Sequence, residues 1–277
     1  MSRTIAQKRA DFRALHQSGC FVLPNPWDAG SARYLASLGF KALATTSAGF
    51  AWSLGVADNH VRRDEMLAHL SQMVAATDLP INADFENGFG ATAEEVGESV
   101  TLAVATGVAG LSIEDASNDP AQPIFPQDVA VARIAAARRA IDKNGGDTLL
   151  VGRAENFLNG ISDIDDTVKR LKAYADAGAD CLFAPGLKTR EQIKVVVEAV
   201  APKSVNVVIA SVADMTLEEA AALGVRRIST GGAAARAAWT GFMTAAQGLA
   251  AGHLDAFASA VSGASMNALF SSRDVQR

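Results

Sequence analysis

Short apolar runs alternate along the chain with longer stretches patterned for helix. Eight runs of four to eight residues read as strands: 21–24, 42–47, 80–85, 110–115, 148–155, 179–184, 206–210 and 226–231. Each stays apolar until its last residues, the pattern of a strand buried on both faces of a parallel sheet. Between them, Asp28 precedes a helical stretch that stops at Gly39, and Thr92 precedes one that stops at Gly107. Asp163 opens a third, ended by Gly178, and Thr216 a fourth, ended by Gly224. Ser, Thr or Asp at the start and Gly just past the end is the capping asymmetry of helices.

Eight strand–helix units of about 35 residues predict an α/β fold, a (β/α)8 TIM barrel, over an open doubly wound sheet. The doubly wound alternative calls for a Gly-rich fingerprint after the first strand, and Leu23-Pro24-Asn25-Pro26-Trp27-Asp28 has none. The whole of 1–277 reads as one barrel domain, with 252–277 as a C-terminal extension. The helical stretches 232–251 and 254–270 exceed what one barrel needs, so the last is expected to pack on a neighbouring subunit. Two segments, 48–60 and 116–127, read as long loops leaving the carboxyl ends of strands two and four. Barrel enzymes place their chemistry on that face, so both are candidate lids.

Composition narrows the class. The 277 residues carry 25 Lys and Arg against 30 Asp and Glu, a net charge of −5. A mildly acidic chain lacks the basic footprint that nucleic acid requires, and 6% aromatic residues argue against base stacking. The two cysteines, Cys20 and Cys181, form neither a disulfide framework nor a zinc motif. With no apolar leader and no membrane-length apolar run, a cytoplasmic protein is expected.

Acids gather where strands end. Asp84 and Glu86 are two apart, which on a strand places both on one face, and Glu114 ends the next strand. A single acid there more often caps a helix or meets an arginine; three converging acids favour a cation. Hard oxygen donors with no histidine pair point to Mg²⁺, with Mn²⁺ possible. Arg153 and Glu155 also share a face, either as a salt bridge or as a fork that grips a substrate carboxylate. Gly152 between the strands' side chains reads as clearance beside that site. Thr45-Thr46-Ser47-Ala48-Gly49 is a turn of hydroxyl-bearing and small residues able to offer N–H groups to an anion. Asp58 and His60 lie in the first long loop and read as exposed unless it folds over the mouth. Cys181 reads as core, and Lys188, a candidate Schiff-base lysine, as solvent-facing.

Taken together, Pro24-Asn25-Pro26-Trp27-Asp28-Ala29, Leu54-Gly55-Val56-Ala57-Asp58, Asp84-Phe85-Glu86-Asn87-Gly88-Phe89-Gly90, Ile113-Glu114-Asp115 and Gly152-Arg153-Ala154-Glu155 resemble the isocitrate lyase / phosphoenolpyruvate mutase superfamily. The resemblance runs from about Leu23 to about Gly241. It implies a barrel that swaps its last helix within a homo-oligomer, a tetramer or possibly a dimer. It implies Mg²⁺ with Asp84 as direct ligand and with Asp58, Glu86 and Glu114 holding metal waters. Thr46, Ser47 and Ala48 would line a carboxylate or phosphonyl pocket, with Arg153 and Glu155 at the substrate.

The chain departs from that pattern in its second lid. Isocitrate and methylisocitrate lyases carry Lys-x-Cys-Gly-His there, whereas 116–127 holds no cysteine, lysine or histidine. The expectation is therefore a Mg²⁺-dependent carbon–carbon lyase or decarboxylase acting on a small 2-oxo or 2-hydroxy carboxylate through a pyruvate-type enolate. Asp58, Arg153 and Ser47 are its candidate catalytic residues, Ser47 as proton donor after a metal-bound water. The alternatives are a phosphonomutase or phosphonopyruvate hydrolase, for which Asn118 supplies part of the lid, and a 2-oxoacid binder without turnover.

Overall fold

The computed structural model describes residues 3–271. An opening helix, α1 (Ile5–Leu15), leads into β1 (Phe21–Leu23), α2 (Ala29–Ser37) and β2 (Leu43–Ala44). Then follow α3 (Ser47–Ser53), α4 (Arg63–Ala76), β3 (Ile81–Asp84), α5 (Ala93–Ala105) and β4 (Gly110–Glu114). The middle of the chain holds α6 (Gln127–Lys143), β5 (Leu149–Arg153), α7 (Ile164–Asp176) and β6 (Cys181–Phe183). After α8 (Arg190–Val200), β7 (Ser204–Val208), α9 (Leu217–Ala222) and β8 (Arg227–Ser229), the chain ends in α10 (Ala233–Ala250) and α11 (Gly263–Ser271).

All eight strands are parallel, in the order β1-β8-β7-β6-β5-β4-β3-β2, and form the (β/α)8 barrel that the alternating pattern predicts. The seam between β1 and β2 closes differently from the ladders. The Ala44 N–H donates to Pro24 O at 3.0 Å. Asn25 completes the closure: its Nδ2 donates to Thr45 O at 2.7 Å, and its Oδ1 accepts the Thr230 N–H at 2.8 Å. The four helix starts read from sequence are all capped as expected, by Asp28, Thr92, Asp163 and Thr216.

Apolar packing falls in two layers. Leu23, Leu149, Val151, Cys181 and Phe183 are buried together on the barrel's inner face. Ala83, Phe85, Leu111, Ile113, Leu150 and Leu182 meet Val96, Val100, Ile134, Leu171 and Ile193 of the surrounding helices. Residues 83 and 85 therefore pack outward while Asp84 faces the mouth, as period-two alternation requires. Among the described residues, no helix is long and apolar enough to cross a membrane.

Three segments differ from the sequence pattern. α1 escapes it because its inward face carries Lys8 and Arg9, whose long stems are buried while their heads meet backbone carbonyls. Lys8 Nζ donates to Thr77 O at 2.7 Å, and Arg9 Nη2 to Val104 O at 2.8 Å. Segment 48–60 is not all loop: its first half is helical, as α3, because Thr46 Oγ1 accepts the Gly49 N–H and caps it. The stretch 254–270 becomes helical only from Gly263; turns occupy 254–259. Of the extension, 272–277 lies outside the described residues.

Candidate active site

Asp84 ends β3 with its side chain 19% exposed, enough for water to reach. Ser47, the first residue of α3, gives its carboxylate two hydrogen bonds: N–H to Oδ2 at 3.0 Å and Oγ–H to the same oxygen at 2.9 Å. The Asp84 N–H donates to Thr45 Oγ1 at 2.8 Å, so β2's end fixes both the backbone and the side chain of Asp84.

Two residues further on, the strand geometry breaks. Glu86 and Phe89 have φ of +47° and +55°, a left-handed conformation that costs a non-glycine residue on the order of 1–2 kcal/mol. Surrounding contacts hold the turn. The Glu114 N–H donates to Glu86 O at 3.0 Å, and Arg133 of α6 donates to Asn87 O and Gly90 O, both at 2.8 Å. At Gly88 (φ +87°) a Cβ would lie 2.8 Å from Val96 Cγ1, so this position admits no side chain. Glu86 therefore reaches the cluster through a bent backbone and not by simple alternation. It is buried, and its Oε1 has no hydrogen-bond partner. Burial, with Asp84 and Asp58 adding repulsion, pushes its carboxyl up to about 8.

Arg153, the last residue of β5, is the hub. Its Nη1 lies 3.2 Å from Asp84 Oδ1 and 3.0 Å from Glu114 Oε2, and its Nε donates to Glu155 Oε1. The salt bridge and the cluster are thus both real: one guanidinium faces three carboxylates from three elements. Burial raises the Glu114 and Glu155 carboxyls above their ordinary range, with Arg153 opposing the rise. Burial and Asp84 raise Asp58 likewise. Five acids share one guanidinium, and the upward shifts express the cost of ionising them together, a cost that a cation would relieve.

Asp115 turns the other way. Its Oδ1 accepts the Glu155 N–H at 2.7 Å, while Oδ2 accepts Tyr174 Oη at 2.6 Å and Arg170 Nη1 at 3.1 Å. Sequence reading missed this network, although Arg170 and Tyr174 lie four apart on the face of α7 that packs on the sheet. It also corrects the role of Gly152. A Cβ there would stand 2.9 Å from Tyr174 Cβ, so Gly152 makes room for Tyr174 on the outer face and not for a ligand beside Arg153.

Above the cluster lies a cavity of about 320 Å³ lined by Ser47, Asp58, Asn59, Glu114, Arg153 and Glu155. Asn118, Asp119, Pro120 and Pro123 of the segment after β4 complete the lining, with Leu158 and Asn159 from the segment after β5. Asp84 and Glu86 lie outside this lining. Thr46 is occupied as the α3 cap, and neither it nor Ala48 lines the cavity. Segment 116–127 carries no regular element and is pinched by a single bridge between Ala116 and Ile124. Cys181 is buried and free, and Lys188 is exposed, as their patterns suggest.

Among the described residues, no three His, Cys, Asp or Glu side chains stand close enough to ligate one ion together. The hard donors present instead fit a hydrated Mg²⁺ or Mn²⁺ held by one carboxylate. Water reaches the exposed Asp58 and the partly exposed Asp84, and the Oε1 of Glu86 has no partner.

The sequence profile described as phosphoenolpyruvate phosphomutase matches residues 12–250. A crystal structure from Burkholderia cenocepacia, of a protein provisionally named a lyase/mutase, superposes with a TM-score of 0.93. The two chains are 47% identical, and each is covered to 98%. An uncharacterized protein of Mycobacterium tuberculosis is 30% identical over 222 residues, 79% of this chain and 81% of the other. The oxaloacetate decarboxylase of Paraburkholderia xenovorans is 33% identical over 206 residues, 70% of this chain and 66% of the other.

Proposed function

The chain belongs to the phosphoenolpyruvate phosphomutase family, within the isocitrate lyase / phosphoenolpyruvate mutase superfamily, and from that premise we propose that it is a carbon–carbon lyase or decarboxylase. Its substrate is a small 2-oxo or 2-hydroxy carboxylate, and the bond breaks to leave a pyruvate-type enolate. The observation that carries this reading is Arg153 seated among Asp84, Glu114 and Glu155 beneath an open cavity. The decarboxylase among its relatives supports the same chemistry.

Mg²⁺, or Mn²⁺, is the cofactor of this reading, with Asp84 as ligand and Asp58, Glu86 and Glu114 holding its waters. Such an ion supplies fixed positive charge that polarises the oxygen next to the scissile bond. The protein's own groups do the rest. Arg153 binds the substrate carboxylate and opposes negative charge as the enolate forms. Glu114 and Glu155 keep the guanidinium plane oriented, and Asp115 keeps Glu155 in place. Ser47 Oγ, fixed on Asp84, is the protein hydroxyl placed to return a proton to the enolate carbon. A lid without cysteine, lysine or histidine supplies no acid of the isocitrate lyase kind.

The exposed apolar side chains Phe242 and Met243 of α10 and Leu254, Phe257 and Val261 of the connection to α11 support a homo-oligomer in which α11 crosses to a neighbour. Phosphonomutase or C–P hydrolysis is the second reading, favoured only by Asn118 in the cavity wall. The deciding measurement is NMR of pyruvate in D₂O with protein and Mg²⁺. Metal-dependent loss of the methyl protons is expected, and their persistence with every divalent ion would overturn the reading.

A further inference from the structure

The cavity over Arg153 has a marked charge asymmetry. Arg153 is its sole lining cation, and that guanidinium already faces three carboxylates. The rest of the wall includes Asn59, Asn118, Asp119, Pro120, Leu158 and Asn159 and brings no cation. Lys188 and Arg236 line none of it. Segment 116–127 contains no Lys, Arg or His to bring in by moving. A second carboxylate or a phosphonyl group on the substrate would be desolvated against Asp119 with nothing to pair it, a costly arrangement. A hydroxyl fits the same wall, because asparagine amides donate and accept while Asp119 accepts. Pro120 and Leu158 cover a short carbon chain.

We propose that the substrate carries one anionic group only, the carboxylate at Arg153, and that its departing half is uncharged. The class is a 4-hydroxy-2-oxo monocarboxylate, cleaved to pyruvate and a neutral aldehyde or ketone. In that cleavage the γ-carbon hydroxyl gives its proton to a carboxylate of the lining. The β–γ bond breaks, and its electron pair passes into the enolate of pyruvate. The γ oxygen becomes the carbonyl of the departing fragment, and the proton returns to the β carbon. No oxidant or reductant is required. The inference rests on the enolate reading above and narrows its choice of lyase or decarboxylase to the lyase.

Two readouts on the full chain test it. With Mg²⁺, 2-oxopentanoate and 2-oxoglutarate, equal in chain length and different in charge, are compared by thermal shift and as competitors of pyruvate methyl exchange. The monocarboxylate is expected to bind at least about tenfold more tightly. Asn159→Lys, at an exposed position of the lining, is expected to narrow or reverse that ratio. Exchange that persists while 2-oxoglutarate binds equally or better overturns the inference and leaves the enolate reading standing. Absence of exchange together with preserved monocarboxylate preference overturns the enolate reading instead. Stabilisation by neither acid overturns the inference as well.

Discussion

Asp115 Oδ1 accepts the Glu155 backbone N–H at 2.7 Å, joining the residue after β4 to the segment that follows Arg153. The carboxylate itself is held from α7 by Tyr174 and Arg170. A helix outside the barrel thereby sets the position of the guanidinium inside its mouth. Tyr174→Phe removes the 2.6 Å bond and leaves a buried acceptor one donor short. Urea unfolding should show a loss of about 1–3 kcal/mol. The KM of pyruvate exchange should rise more than its rate constant falls, because Arg153 remains present but less well placed.

Gly152→Ala tests the other side of the same contact. The added methyl would stand 2.9 Å from Tyr174 Cβ and 3.2 Å from Ala179 Cβ in a closely packed layer. A destabilisation of about 1–3 kcal/mol is expected in chemical denaturation. Unchanged stability would mean that α7 can shift outward freely, contrary to the packing described.

Arg153→Ala should lower pyruvate exchange by about 10²–10³-fold if the guanidinium meets charge that develops in the reaction. Arg153→Lys should restore little, since one ammonium cannot span three carboxylates in a planar fork. Rescue by lysine to near wild-type rates would show that charge alone suffices.

Asp84→Asn should abolish metal-dependent exchange and weaken Mn²⁺ binding followed by electron paramagnetic resonance. EDTA should silence the wild type, and added Mg²⁺ should revive it. Exchange that survives chelation would remove the cation from the reading.

His69 predicts an acid limb of stability. It is buried and stacked on Phe50 of α3, with ring centroids 3.8 Å apart, and burial lowers its pKa to about 4. The unfolded chain takes up this proton near pH 6.5, whereas the native ring resists until about pH 4. Its contribution is complete above pH 6.5 and is lost as pH falls from there toward 4, with a slope of up to about 1.4 kcal/mol per pH unit. In His69→Phe, denaturation midpoints measured between pH 7 and 4.5 should fall less steeply than in the wild type.

The barrel was legible because its strands are buried on both faces, so runs such as Leu149–Arg153 are apolar until their ends. The acids at those ends were legible for the same reason, since charge there interrupts an apolar run. α1 was not, because buried Lys8 and Arg9 look like surface residues when their carbonyl partners at 77 and 104 are distant in sequence. Glu86 was assigned to the right cluster by an alternation that the backbone abandons at φ +47°. The Asp115–Tyr174 contact joins residues 59 apart, and the cavity lining likewise gathers segments distant in sequence, which no local pattern encodes.

Asn25 gives the ring a clasp. Seven of its joins are woven by strand ladders, while the eighth is buttoned by one backbone bond, Ala44 to Pro24, and by one amide that touches Thr45 on one side and Thr230 on the other. The residue that takes this clasp on its carbonyl, Thr45, takes the Asp84 N–H on its hydroxyl, and Ser47 two positions on holds the Asp84 carboxylate. The fastening of the circle and the acid beside Arg153 thus hang on one short turn, so loosening the first would slacken the second.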